Sequence, residues 1–140
     1  MSRLNVWQCG SMTGRDNQAA FRLSALLGGA GILHFVAPKF FDTQVPKALP
    51  GTARTYTTVS GVAELAVAVA LAVPSTRRLG GGLAAALFIA VFPANIDMAR
   101  RIVADPKSSP AMKAAVLARL PLQIPLVTEA MKVRKNATQT

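Results

Sequence analysis

The segment Leu79–Ile96 (LGGGLAAALFIAVFPANI) runs for 18 residues without a formal charge. Folded as a helix, it has no charged face to turn toward water. Three other windows share this character. Leu23–Pro38 holds 16 residues with His34 as its only ionisable group. It reaches 21 residues when extended back to Gln18 across Arg22, whose long stem can snorkel to the headgroups. Thr55–Thr76 spans 22 residues with one charge, Glu64, and Ala114–Met131 spans 18 with two, Arg119 and Glu129. A bilayer core about 30 Å thick is crossed by roughly 20 helical residues. The windows therefore predict an all-α fold, a transmembrane four-helix bundle. A soluble bundle would need a polar face on every helix, which Leu79–Ile96 and Ala66–Val73 do not have.

The charges that remain are lopsided. The chain is 51% hydrophobic and 16% charged, and 16 Lys+Arg against 6 Asp+Glu leave a formal net charge of +10. This basic charge is spread over every join and both tails rather than gathered into one stripe, so a nucleic-acid partner is not expected. Membrane lipids with anionic headgroups are the expected counter-charge. The hydrophobic content excludes intrinsic disorder. Cys9 is the single cysteine, so no intramolecular disulfide or cysteine metal cluster can form. One His without a nearby Cys makes no metal site, so none is expected. The chain has no Gly-Lys-Ser/Thr phosphate loop, no His-Glu-x-x-His pair and no dinucleotide fingerprint.

The predicted organisation is a polar N-terminal tail (1–17), one four-helix transmembrane domain (18–132) and a basic C-terminal tail (133–140). Lys39–Arg54 joins the first two helices. Its Phe40, Phe41, Val45 and Leu49 predict an interfacial segment at headgroup depth. Ser75–Arg78 reads as a tight turn and Asp97–Lys113 as a longer loop. Gly80-Gly81-Gly82 reads as flexibility at the membrane surface. Ala25 with Gly29, and Gly81 with Ala85, are small-residue pairs suited to close helix approach. Met1–Asn17 lacks an apolar signal core, so the first span is expected to serve as the targeting signal. Asn136-Ala137-Thr138 matches a glycosylation sequon.

An even number of spans puts both termini on one side. Arg3, Arg15, Arg22, Arg77, Arg78, Lys132, Arg134 and Lys135 fall there. Lys39, Lys47, Arg54, Arg100, Arg101, Lys107 and Lys113 fall opposite. By a margin of one residue this favours cytoplasmic termini in a multi-pass protein of the cell membrane.

Ionisable groups inside a span are costly, about 2.5–3.5 kcal/mol at mid-membrane on insertion scales, and ask for partners. His34 ends the first span, Glu64 lies about nine residues into the second, Asn95 and Asp97 close the third, and Arg119 and Gln123 open the fourth. All fall in the half of the bilayer opposite the termini. They predict an intramembrane polar site of Glu64, Arg119, Asn95, Gln123 and His34, with Glu64 and Arg119 as an ion pair. Arg119 and Gln123, four residues apart, share a helix face, as do Ser60, Glu64 and Ala68. Such a cluster either fixes helix register or lines a ligand or proton site. Pro93, Pro121 and Pro125 leave the carbonyls of Ile89, Leu117 and Pro121 without their helical donors, which suits a kinked, partly wet bundle.

Several of these residues together resemble the DoxX-like family of small membrane proteins. His34-Phe35-x-x-Pro38-x-x-Phe41, then Val45-Pro46 and Leu49-Pro50, resemble the end of that family's first span and its following loop. Ser60-Gly61-x-x-Glu64-Leu65 resembles its second helix. Phe92-Pro93-Ala94-Asn95-Ile96-x-Met98 and Arg119-Leu120-Pro121-Leu122-Gln123 resemble its third and fourth. The resemblance runs from about residue 18 to 132. It implies a four-helix integral membrane protein, some of whose relatives are subunits of thiosulfate:quinone oxidoreductase or of other membrane oxidoreductase assemblies.

Three functional readings follow. The first is an accessory or anchoring subunit of a larger membrane protein complex or homo-oligomer, non-catalytic rather than a self-sufficient enzyme. The second is a quinone-binding oxidoreductase component in which Glu64 or His34 handles protons. The third is a small carrier of lipid or solute, for which four helices without an inverted repeat are a poor frame. No covalent cofactor is expected; the ligands considered are a quinone or a lipid.

Overall fold

The computed structural model describes residues 14–137. Most of the tail assigned to 1–17, with Arg3 and Cys9, lies outside the described residues, as do the end of the C-terminal tail and Thr138 of the sequon. The described chain is helical, with no strand: α1 (Gly14–Val36), α2 (Pro38–Asp42), α3 (Ala53–Ala72), a 3₁₀ turn (Pro74–Thr76), α4 (Arg77–Ala104) and α5 (Pro110–Asn136). Four of these helices, α1, α3, α4 and α5, are long and apolar enough to cross a membrane. The protein is a multi-pass, four-helix membrane bundle, and α2 is the short helix between the first two spans. The helical body reaches beyond 18–132 at both ends.

Local chemistry sets the boundaries. Gly51 takes φ +90°, a left-handed turn that disfavours a side chain, and Thr52 then caps α3 by accepting from the Thr55 N–H. Ser109 caps α5 through the Met112 N–H, with Pro110 in the first turn. The loop expected at 97–113 is shorter than the sequence implies, because α4 continues to Ala104. Met98 and Ala99 of that extension are buried on Val116 of α5, with Ile102 and Leu120 packed around them. Asp97 and Arg101 pair four residues apart at 2.8 Å.

The helices associate as two pairs, α1 on α3 and α4 on α5, which meet more sparsely along α3–α4 and α1–α5. Small residues make both seams. A Cβ added to Gly31 would lie 2.8 Å from Leu65 Cγ, and one added to Gly61 would lie 2.8 Å from His34 Cβ. Ser24 Oγ donates to Ala68 O at 2.7 Å along the same seam. In α4, a Cβ at Gly80 would strike the α3 backbone at Ala70–Leu71, and one at Gly81 the α5 backbone at Ala130 and Arg134, each within 2.8 Å. The triple glycine is thus no flexible hinge. Gly80 and Gly81 are buried helical residues whose missing side chains let backbones touch. The Gly81–Ala85 pair sits in this seam. Ala25 and Gly29 instead face outward, with nothing within 4 Å of the space a Gly29 side chain would fill.

The main core lies in the half of the bundle that carries the termini: Leu23 and Leu27 of α1, Leu71 of α3, Phe88 of α4 and Val133 of α5, closed by alanines. Arg77 seals that end. It is 2% exposed; its Nε donates to Leu71 O at 2.9 Å, Nη2 to Ala72 O at 3.0 Å and Nη1 to Asn17 Oδ1 at 2.7 Å. These carbonyls lie in the last turn of α3, where no helical donor follows, so the guanidinium is a C-cap supplied from the next helix. Its Cζ also sits 5.2 Å from the centre of the Phe21 ring.

Candidate functional site

At the opposite end the two helix pairs part around a cavity of about 220 Å³. Each element places residues there: His34 from the end of α1, Phe41 from α2, Gln44, Val45, Pro46 and Leu49 from the following loop, and Tyr56, Thr57, Ser60 and Glu64 from one face of α3. Ala90, Val91, Ala94 and Asn95 come from α4, and Arg119 from α5. One wall is polar and the loop side is apolar, the pattern of sites that orient a small molecule through a few fixed groups.

Four of the five predicted site residues, His34, Glu64, Asn95 and Arg119, line this one cavity. Gln123 does not. It is 8% exposed and its amide donates to the Phe88 carbonyl, tying α5 to α4. Gln123 lies one helical turn beyond Arg119 toward the termini, where α4 packs directly on α5. The side chain therefore has backbone to bond rather than open space.

The expected Glu64–Arg119 ion pair is replaced by a different contact. Glu64 Oε2 lies 3.1 Å from His34 Nδ1, and no carboxylate among the described residues lies within 4 Å of Arg119. Gly61, three residues before Glu64, allows His34 this approach. Nδ1 also lies 2.8 Å from Ala30 O, which can only accept, so Nδ1 carries the ring hydrogen. That hydrogen points to Ala30, which leaves Glu64 Oε2 buried beside the ring without an aligned donor. Phe41 stacks on His34 at 3.7 Å and 24°, and Phe40 meets Phe41 edge-on. Arg119 stands exposed at the cavity edge, within electrostatic reach of Glu64.

Glu64 Oε2 and Thr57 Oγ1 are the atoms of the site buried without a partner, and Asn95 adds an amide that reaches the open cavity. Asn95 is 6% exposed and makes no hydrogen bond with any described residue, so its amide opens on the cavity alone. A buried polar atom without a partner costs about 1–3 kcal/mol, which makes the placing of Glu64 Oε2 and Thr57 Oγ1 beside Asn95 informative.

The roof is clipped at three points that the sequence reading did not find. Arg54 Nε and Nη2 both donate to Asp42 Oδ2, at 3.0 and 2.8 Å, joining α2 to the start of α3. Arg101 donates to Thr43 O at 2.8 Å and to Gln44 O at 3.3 Å, joining α4 to the loop. Tyr56 Oη donates to Pro50 O at 2.7 Å. The Arg54 guanidinium holds the Asp42 carboxyl below the usual aspartate range. Thr57 Oγ1 adds to this electrostatically, although neither it nor Asp42 Oδ1 closes a well-aligned hydrogen bond. Backbone carbonyls are the targets of Arg101 and Tyr56, and side-chain spacing along a sequence carries no signal for them.

Residues 23–134 match the family described as a domain of unknown function, DUF8561. The chain belongs to that family, which covers all four spans except the first turns of α1 and the last two residues of α5. No curated protein and no solved structure matches it.

Proposed function

We propose that the protein is a small accessory subunit of a larger membrane assembly, in which it holds the polar head of a membrane-soluble molecule. The carrying observation is Asn95: a buried amide facing a cavity of about 220 Å³ with no protein partner, beside the His34–Glu64 contact. A group of that kind is completed by a ligand's carbonyl or hydroxyl. The volume suits a headgroup rather than a whole amphiphile, whose apolar remainder would stay among the bilayer chains. The resemblance to DoxX-like subunits supports a role inside a complex. The proposal places the protein in the cell membrane with cytoplasmic termini; cysteine labelling of both tails from outside would reverse that orientation. Purification in gentle detergent followed by native mass spectrometry tests the main reading. Partner subunits and a bound small molecule are expected, and a lone, ligand-free monomer would overturn it.

The His34–Glu64 contact favours a second reading, in which the molecule held is a quinone. Reduction of a quinone to its quinol consumes two electrons and two protons. The electrons would come from a redox centre on a partner subunit, and His34 and Glu64 would hold and pass protons at the cavity wall. Phe41 and the loop residues Val45, Pro46 and Leu49 offer the apolar surface a ring needs. In Glu64→Gln membranes, quinone-dependent activity of the host assembly should fall; unchanged activity would sink this reading.

A further inference from the structure

A second site, at the other end of the molecule, owes nothing to the cavity. We infer that the α4–α5 seam on the terminal side binds the phosphate of an anionic phospholipid through Arg78 and Arg134. Arg78 opens α4 and Arg134 lies near the end of α5, so the antiparallel helices bring two guanidiniums to the same height. The approach is unusually close. Gly81 touches the α5 backbone, and a Cβ at Gly82 would lie 3.4 Å from both Cδ and Nη1 of Arg134, so that side chain lies across α4. Both arginines are exposed, and neither has a carboxylate of the described residues within 4 Å. Glu129, the nearby acid on α5, is engaged by Lys132 at 2.7 Å.

Two adjoining grooves, of about 430 and 710 Å³, share Arg78 and Arg134 as lining residues. Below the guanidiniums the walls are mainly apolar: Leu79 and Leu83 in one groove, Val127 and Met131 in the other, which Thr128, Lys132 and Lys135 also line. A cationic pair at the helix ends above two apolar grooves matches one phosphate carrying two acyl chains. An acidic peptide or a nucleic acid would leave those walls facing the bilayer unused. Two like charges held together also repel, and a bridging phosphate removes that cost while accepting from both guanidiniums. Elsewhere, Arg54 and Arg101 already meet Asp42 and Asp97.

The test measures binding of phosphatidylglycerol and phosphatidylcholine to the purified full chain by native mass spectrometry. The double variant R78Q/R134Q is compared with K107Q/K113Q, which removes equal charge from the opposite side. Wild type and K107Q/K113Q should retain phosphatidylglycerol over phosphatidylcholine. R78Q/R134Q should bind it about 25-fold more weakly, and each single variant about fivefold, as expected for roughly 1 kcal/mol per basic residue. The single variants carry the reading should the double variant fail to fold. Equal loss in both double variants would overturn the proposal by reducing it to bulk charge. So would equal retention of the two lipids, or displacement of the bound lipid by millimolar inorganic phosphate.

Discussion

At the terminal end of the bundle Arg77 is 2% exposed and each of its nitrogens meets an oxygen; at the other end Asn95 is 6% exposed and its amide meets none. Both are polar side chains in an apolar body, and the same chain of 140 residues treats them in opposite ways. Around Arg77, glycine and alanine seams bring backbones together, and no buried side-chain oxygen or nitrogen of the described residues is left there without a partner. Around Asn95, the two helix pairs part and the roof is built from a loop held by Arg54, Arg101 and Tyr56. A fold that can satisfy a guanidinium at one end has the means to satisfy an amide at the other. The two ends thus differ in what the fold leaves unpaired, and the proposed binding site rests on that difference.

The contrast is most exposed to test at Arg77. Arg77→Ala strips the last carbonyls of α3 of their donors and leaves Asn17 without its partner, a loss of about 3 kcal/mol or more. Thermal unfolding in detergent should show a clearly lowered midpoint. A midpoint within experimental error of wild type would show the cap to be idle.

Glycine substitutions separate the seams from the outer surface. Gly61→Ala would force a Cβ to 2.8 Å from His34 and Phe35, costing about 1–3 kcal/mol and moving His34 off Glu64. Gly29→Ala meets nothing within 4 Å and should be neutral or stabilising by up to about 1 kcal/mol. If the two variants unfolded alike, the α1–α3 seam would not be where the structure puts it.

Four spans were legible because charge-free windows of bilayer length leave little else to fold into, and His34, Glu64, Asn95 and Arg119 converged because topology fixes depth. Which of them touch was not legible. The His34–Glu64 contact depends on Gly61, a missing side chain that no pairing rule counts. Arg77 falls in the Ser75–Arg78 tight turn by its place in the sequence, while its actual work is with carbonyls, which every residue carries alike. Gln123 shares a face with Arg119, yet one turn of depth sends it to the Phe88 carbonyl. The length of α4 was underestimated because Asp97, Arg100 and Arg101 look like the start of a loop, whereas Met98, Ala99 and Ile102 carry a second small core beyond them.

Asn95→Leu should hold stability level or raise it by up to about 1 kcal/mol, since it removes a cavity-facing amide that bonds no described residue. A lowered thermal midpoint would mean that the amide is satisfied in the folded protein.

The smallest effect concerns the roof. Asp42 is held below its ordinary value of about 3.9, chiefly by Arg54, so its contribution to stability is complete above that value. The contribution is lost as pH falls further, through the lowered folded value. Hydrogen exchange of the 43–50 loop, corrected for intrinsic rates, should stay slow from neutral pH down to about 4 and quicken only below it. Arg54→Gln should remove that dependence.

Native mass spectrometry of wild type beside Asn95→Leu, both released from gentle detergent, tests whether a ligand completes the open end. A bound small molecule is expected on the wild type, and its loss from a variant that is folded and at least as stable. Equal occupancy on both proteins, or none on the wild type, would contradict it.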